Sequence, residues 1–457
     1  GEVLNQGMTA LCSFIGRTVF IRMLGTEYLG ISGLYTNVLS ILSLTDLGIG
    51  SSIVFSLYKP LRDKNEGKIY ALMNLYKKVY RVIGCCVAVL GCLLMPLLPR
   101  LMNGGTELGN IYVVYLIYLT QSVASYLFLA YHMSIIQADQ KSYILSIINS
   151  VNSIITTIVQ IVVLILTRNY ILYLLVALAT NILKNVVIGI VSWKMYPYLR
   201  KKLPDKLSDQ EVGTIFKNSG ALMIYRVNST VMNACDNLVL SSFLGLNIVG
   251  LYSNYLIFSK NFTNFINNIF SSMKASVGDL HAEGNSEREY QIFLSCNFMG
   301  AVIYGIAAVG LAVIANDVIT VWIGSQYIIS DVLPVLLAIS MYLAGIQHIN
   351  SIFRDAAGLF QQAKYRPLFA TIINVSLSIF LVKDYGIHGV VAATVISQMA
   401  TYLWFDPIIL CKYAFEISSA KYFKRNAAYA AVLIFAGILT YMVKIMLNIP
   451  PTDGAFP

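Results

Sequence analysis

Charge is scarce in this sequence. Lys, Arg, Asp and Glu together make 12% of its 457 residues, about half the share of a soluble globular chain. Histidine is rarer still: four residues, scattered, with no metal constellation. Cysteine offers no disulfide or metal framework. Cys12, Cys85, Cys86, Cys92, Cys235, Cys296 and Cys411 all fall inside apolar runs, and none forms a Cys-x-x-Cys pair. They read as buried free thiols acting as small apolar residues. The sequence has no Gly-x-x-x-x-Gly-Lys-Ser/Thr loop, so nothing points to an ATP-driven pump. It also has no long polar stretch that could house an external enzymatic domain, and it implies no cofactor.

What it does have is apolar length. Hydrophobic residues make 57% of the chain, and the mean hydropathy is +0.69. A bilayer core of about 30 Å needs roughly 20 apolar residues per helix. Runs of that kind recur at 3–24, 31–58, 79–101, 110–137, 142–166, 170–193, 216–243, 247–277, 290–315, 331–353, 367–382, 387–411 and 426–447. The chain is therefore predicted to be an all-α, polytopic membrane protein of about thirteen spans. The first run carries Arg17 and Arg22 and lacks a small-residue cleavage site, so it is not a signal peptide. The start at Gly1 and the stop soon after Pro450-Pro451 read as trimmed ends.

Lys and Arg orient the spans. One set of loops holds 59–81, Lys141, 194–217, Lys274, Arg288, 354–366 and 412–425, with about 23 basic residues. The other set holds little beyond Arg22, Arg100, Arg168, Lys383 and Lys444. The basic side is cytoplasmic by this rule, which places the N-terminus inside. The net charge of +10 is then mostly topology, not a nucleic-acid footprint.

An internal repeat divides the chain. Leu24-Gly25 and Leu244-Gly245 are each followed, after four intervening residues, by a glycine (Gly30 and Gly250). The tracts Gly33-Leu34-Tyr35-Thr36-Asn37 and Gly250-Leu251-Tyr252-Ser253-Asn254 continue the likeness. Each copy lies at the outer turn between the first and second spans of a six-span half. Two such halves with parallel topology are a transporter signature, with the substrate site between them. The expected organisation is an N-terminal lobe at 1–194, a cytoplasmic linker at 195–215, a C-terminal lobe at 216–411, and an extra helix with a tail at 412–457.

An ionisable group at mid-bilayer costs several kcal/mol and survives only beside a partner, a cavity or water. Arg17, Lys184, Arg226 and Lys260 fall inside the spans. Helical spacing aligns them with polar residues: Gln6, Thr9, Ser13 and Arg17; Arg226, Ser229, Asn233 and Asp236; Lys260, Asn264, Asn267, Ser271 and Lys274; Gln347, Asn350 and Arg354. Helix–helix hydrogen bonding by Asn and Ser is the plainer reading of the amides. The intramembrane carboxylates are Asp46 and Asp236, each a structural counter-ion or a coupling group. A central cavity that is net positive and rich in amides suits an anionic, sugar-bearing ligand: Arg17, Arg226 and Lys260 for phosphate, Asn233, Asn264 and Asn267 for hydroxyls. Tyr35, Tyr225, Tyr252 and Tyr255 lie near these stripes, where they could stack on sugars or serve as interfacial aromatics.

Several motifs carry a family resemblance. They are Gly16-Arg17-Thr18-Val19-Phe20 running into Leu24-Gly25-Thr26-Glu27-Tyr28-Leu29-Gly30; Leu47-Gly48-Ile49-Gly50-Ser51 with Tyr58-Lys59-Pro60-Leu61; Asn74-Leu75-Tyr76-Lys77-Lys78; Gln137-Ala138-Asp139-Gln140-Lys141; and Asp236-Asn237-Leu238-Val239-Leu240. With these, nearly the whole chain resembles the Wzx-type oligosaccharide flippases of the multidrug/oligosaccharidyl-lipid/polysaccharide exporter superfamily. The resemblance implies two six-helix lobes that rock around a cationic cavity. The cargo would be an undecaprenyl-diphosphate-linked oligosaccharide, carried from the inner to the outer leaflet of the bacterial plasma membrane. Arg17 and Arg226 match by position the cavity arginines of such proteins, and Lys260 is a looser match. The implied partners are the lipid-linked substrate, the phospholipid bilayer and other membrane proteins of polysaccharide assembly. The rivals are a multidrug antiporter of the same superfamily, whose cavity wants carboxylates, and a membrane glycan polymerase or glycosyltransferase, which needs a large external loop or an acidic pair.

Overall fold

Among the described residues seven helical stretches are long and apolar enough to cross a membrane, and the 48-residue stretch Arg366–Tyr413 holds two expected spans. A computed structural model describes residues 2–43, 49–101, 110–127, 129–201, 207–363 and 365–447. Among the described residues the secondary structure is helical throughout, and each of the thirteen expected spans falls on helix.

In chain order the helices are α1 (Glu2–Leu24), α2 (Thr26–Leu42), α3 (Ile49–Arg62), α4 (Glu66–Leu94), α5 (Leu98–Leu101), α6 (Ile111–Leu127), α7 (Met133–Ala138), α8 (Ser142–Thr167) and α9 (Tyr170–Met195). There follow α10 (Asp209–Leu244), α11 (Leu246–Ser271), α12 (Lys274–Ala282), α13 (Ser286–Trp322), α14 (Val332–Ala356), α15 (Phe360–Ala363), α16 (Arg366–Thr401), α17 (Phe405–Tyr413) and α18 (Ala420–Met446). The expected second and fourth spans are each built from two helices, α2 with α3 and α6 with α7. The eleventh and twelfth share α16, which folds back at Gly386 (φ 56°, ψ −135°). Across that turn Asn374 Nδ2 donates to Thr394 Oγ1 at 2.8 Å.

The chain forms two compact units, Gly1–Leu246 and Asn247–Pro457. In the first, α1 packs on α8, α8 on α9, α4 on α6, and α10 on both α2 and α3. Among the described residues two apolar clusters fill it. One surrounds Tyr35, Val87, Tyr115 and Leu164. The other surrounds Ile53, Tyr76, Ile135 and Ile188. In the second unit α14 lies against α13, α16 and α17, around Phe270, Tyr290, Phe293, Phe353, Phe415 and Tyr422. Gly345 of α14 leaves room for the Tyr304 ring, which would stand 2.4 Å from an added Cβ. Small residues permit such close helix approach where the surrounding solvent is lipid.

Each unit sorts its helix ends as alternating spans require. In the first, Tyr196 donates to Asp139 at 2.7 Å and Lys141 pairs with the same carboxylate at 2.7 Å, so the basic loops around 141 and 194–200 meet. At the opposite end Tyr35 donates to the Ile111 carbonyl at 3.1 Å, and Tyr118 stands 3.1 Å from Tyr170. In the second, Lys274 reaches Asp355 at 3.0 Å. At its other end Asn316 donates to Asp331 at 2.8 Å and Lys444 pairs with Asp317 at 2.5 Å. Between these ends run apolar side chains that no protein covers. On α18 Val432, Ile434, Phe435 and Ile438 are more than half exposed. Cys85, Cys86 and Cys92 are exposed on α4 beside Val82, Val89 and Leu93, which corrects the expectation of buried thiols. Apolar character on such a face matches lipid instead of a protein core.

The first glycines of the two matching tracts share one backbone conformation. Gly25 opens α2 at φ 86°, ψ 178°, and Gly245 separates α10 from α11 at φ 87°, ψ 171°. Both occupy a region essentially reserved for glycine.

Candidate functional site

Helical phase dictates which polar residues of a span face protein, and the structure divides the expected stripes accordingly. On α11, Lys260 and Asn264 are exposed. Asn267, one turn further, is half-buried and accepts a 2.5 Å hydrogen bond from Tyr304. Its carbonyl lies 3.3 Å from His348 Nε2, which also stands 3.0 Å from Ser271 Oγ. Asn267 thus serves helix packing, while Lys260 and Asn264 stay outside the protein interior. In the first unit Arg17 is half-buried on α1, next to Gly16, whose added Cβ would lie 3.3 Å from Thr157 of α8. Asp236 is half-buried on α10. The side chains of Arg226 and Asn233, also on α10, and the whole of Asp46 lie outside the described residues.

Three of the tyrosines considered for sugar stacking are interior. Tyr35 is fully buried and meets Tyr115 edge-on at 5.3 Å. Tyr255 is fully buried and donates to Asn316 at 2.8 Å. Tyr252 is 4% exposed. Their faces are spent on packing, which corrects that reading. The Tyr225 side chain lies outside the described residues.

A charged cluster that the sequence reading missed sits in the second unit. Asp406 is fully buried and accepts from Arg354 Nη1 at 2.8 Å and from Gln347 Nε2 at 2.5 Å, with Arg366 Nε 3.4 Å from its other oxygen. Arg354 Nη2 reaches Asp355 at 2.8 Å, and Arg366 lies 5.0 Å from the Tyr402 ring centre. Three cations, counting Lys274, face two carboxylates. Asp406 lies inside an expected span; a carboxylate in that apolar run was the available signal. Among the described residues no group of three His, Cys, Asp or Glu could hold a metal.

The basic end of the first unit carries a second polar device. The side chain of Asn65 caps α4, accepting from the Lys68 amide at 2.9 Å. Ser208 and Glu211 form a reciprocal capping box at the start of α10. Lys68 and Glu211 then pair with one another at the rim of a cavity of about 460 Å³ lined also by Lys59, Asp63 and Gln210. The Lys68 hydrogen bond, followed by the Ser208 amide, holds the Glu211 carboxyl below its ordinary value of 4.5. A lowered carboxylate stabilises the fold fully above its unfolded value, and the contribution disappears as pH falls through the folded value. Lys68→Gln should therefore lower stability slightly above pH 5, leave it unchanged near pH 3 and so flatten its fall below about pH 4.5, as read by thermal unfolding across pH 3–6. Both groups are more than a third exposed, so the effect is small.

The motif at 137–141 is a helix stop. Asp139 ends α7, Gln140 adopts φ 56°, and burial of the Asp139 carboxyl is outweighed by its bonds to Lys141 and Tyr196, which lower its pKa.

The family described as polysaccharide biosynthesis protein matches residues 3–273. No curated protein matches the chain. Among solved structures the chain is similar to an inward-facing multidrug resistance MATE transporter of the MOP superfamily, at 14% identity and a TM-score of 0.72, covering 89% of this chain and 95% of that one. It is similar to the lipid II flippase MurJ in an inward closed conformation, at 15% identity and a TM-score of 0.64, covering 98% of each. It is also similar to the MATE multidrug transporter DinF-BH, at 14% identity and a TM-score of 0.62, covering 91% of this chain and 95% of that one. Identities this low carry the fold, and the family match carries the membership. The chain belongs to the polysaccharide biosynthesis protein family.

Proposed function

We propose that the chain moves undecaprenyl-diphosphate-linked oligosaccharide units from the inner to the outer leaflet of the bacterial plasma membrane, with its N-terminus in the cytoplasm. The family match over residues 3–273 carries this reading. The physical task is to bring a large polar head group across about 30 Å of hydrocarbon while the polyprenyl tail stays in lipid. Two six-span lobes, 1–194 and 216–411, would alternate access by rocking. Arg17, Arg226 and Lys260 would hold the diphosphate, while Asn233, Asn264 and, more weakly because of its bond to Tyr304, Asn267 would brush the glycan. Asp46 and Asp236 would serve as counter-ions or coupling groups. The gathering of basic loops at one end of each unit supports the cytoplasmic assignment.

Arg226→Ala and Arg17→Ala should each slow transport about 10–100-fold, the worth of a charge-assisted hydrogen bond, at normal protein abundance. The measurement is the lipid-linked oligosaccharide pool, resolved by leaflet, in depleted cells carrying each variant. The pool should accumulate on the cytoplasmic leaflet; full transport by both variants removes these arginines from the route. The likeness to MATE transporters favours a second reading, multidrug efflux. Efflux of a cationic dye that depends on this chain, with an unchanged oligosaccharide pool, would select it.

A further inference from the structure

The tract Asn74-Leu75-Tyr76-Lys77-Lys78 has no part in the transport route proposed above, yet two of its residues, Asn74 and Lys77, line a second cavity. This cavity, about 420 Å³, opens at the basic end of the first unit, and its walls include Asn74, Lys77, Tyr131, His132, Trp193 and Arg200. Among the described residues no carboxylate lines it, and neither Lys77 nor Arg200 belongs to an ion pair. The wall is rigidly braced. The Arg200 guanidinium lies 5.5 Å from the Trp193 ring centre. Trp193 meets His132 edge-on at 5.4 Å, and Tyr131 lies 4.4 Å from the same imidazole. His132 is 2% exposed; its Nδ1 is 2.9 Å from Ser192 Oγ, and its Nε2 has no partner in the protein.

We infer that this cavity is a binding site for the phosphate of an anionic phospholipid headgroup. Two cations and an amide, with no carboxylate among the described lining residues, offer donors to phosphate oxygens. Trp193 and two tyrosines, Tyr70 and Tyr131, supply the amphipathic aromatic wall found at the level of lipid headgroups. Basic pockets between transmembrane helices on the cytoplasmic side take such headgroups, and the cavity sits where α4 and α9 reach that end. Arg17, Arg226 and Lys260 are not among the residues that line it, so lipid binding and glycan transport are tested with different variants.

The experiment titrates phosphatidylglycerol, with phosphatidylcholine as the neutral arm, into the purified full chain in detergent micelles and counts retained lipid by native mass spectrometry. Three proteins are compared: the unchanged chain, Lys77→Gln/Arg200→Gln, and the control Lys78→Gln/Lys201→Gln, which removes equal charge from neighbouring positions outside the cavity wall. The unchanged chain and the control should retain phosphatidylglycerol in preference to phosphatidylcholine, and the first pair should bind it about thirtyfold more weakly. Equal weakening in the control reduces the effect to general surface attraction and overturns the site. Absence of a phosphatidylglycerol preference overturns it as well. Competition by inorganic pyrophosphate at micromolar concentration would identify a soluble phosphate compound as the occupant and overturn the lipid assignment. Unfolding temperatures without added lipid, equal among the three proteins, keep folding defects out of the comparison.

Discussion

Asp406→Asn should destabilise the second unit by about 3–5 kcal/mol, a drop in unfolding temperature on the order of 10 °C. The carboxylate is fully buried and stands among Arg354, Arg366 and Gln347. Removing its charge leaves two buried guanidinium groups facing a neutral amide. Arg354 keeps Asp355, a carboxylate shared with Lys274. Arg366 keeps the face of Tyr402, which is worth roughly 1–2 kcal/mol when desolvated. Lys274→Ala, at the rim and 54% exposed, should change stability by less than about 1 kcal/mol. A triple change, Arg354→Met, Arg366→Met and Asp406→Leu, should recover much of what Asp406→Asn loses, because apolar residues of similar volume often replace buried ion pairs without net cost. Thermal unfolding in detergent reads all three. A loss no larger for Asp406→Asn than for Lys274→Ala would mean that water reaches the cluster in solution.

That cluster also marks where sequence reading stops. Spans and their alternation are legible because about 20 apolar residues in a row have one solution in lipid, and because basic loops segregate by side. The repeat is legible because a glycine-only backbone conformation is a local property. The Arg354–Asp406 pair is not local: 52 residues separate its members, and nothing in either neighbourhood names the other. Arg354 looked like the end of a polar stripe and Arg366 like a topogenic charge. Polar stripes fail for a related reason. Spacing puts Lys260, Asn264 and Asn267 on one helix face, but only the packed structure tells that Tyr304 claims Asn267. Tyrosine is ambiguous by chemistry, since its ring packs and its hydroxyl bonds. Tyr35 and Tyr255 use both parts inside the protein.

Gly25→Ala and Gly245→Ala should destabilise the chain by nearly equal amounts, about 1–3 kcal/mol each. Their backbones differ by 1° in φ and 7° in ψ, so a methyl group meets the same strain at both. No heavy atom lies within 4 Å of a Cβ added at Gly25, so strain and not crowding sets the cost there. Gly30, five residues on, has the opposite problem. It lies in regular helix, but a Cβ there would stand 2.0 Å from the carbonyl oxygen of Leu246. Backbone cannot rotate away as a side chain can, so Gly30→Ala must push α2 from the junction of α10 and α11, at about 1–3 kcal/mol for overpacking. The three variants separate by a second readout, cysteine accessibility at Cys235 on α10. The two strain variants should leave it unchanged, since they alter a turn. Gly30→Ala should raise it, since it parts α2 from the helix that carries Cys235. Unequal losses at Gly25 and Gly245 would break the equivalence of the two turns. An unchanged Cys235 in Gly30→Ala would mean that α2 absorbs the methyl group by sliding along α10, the close approach being one of several registers open to the pair.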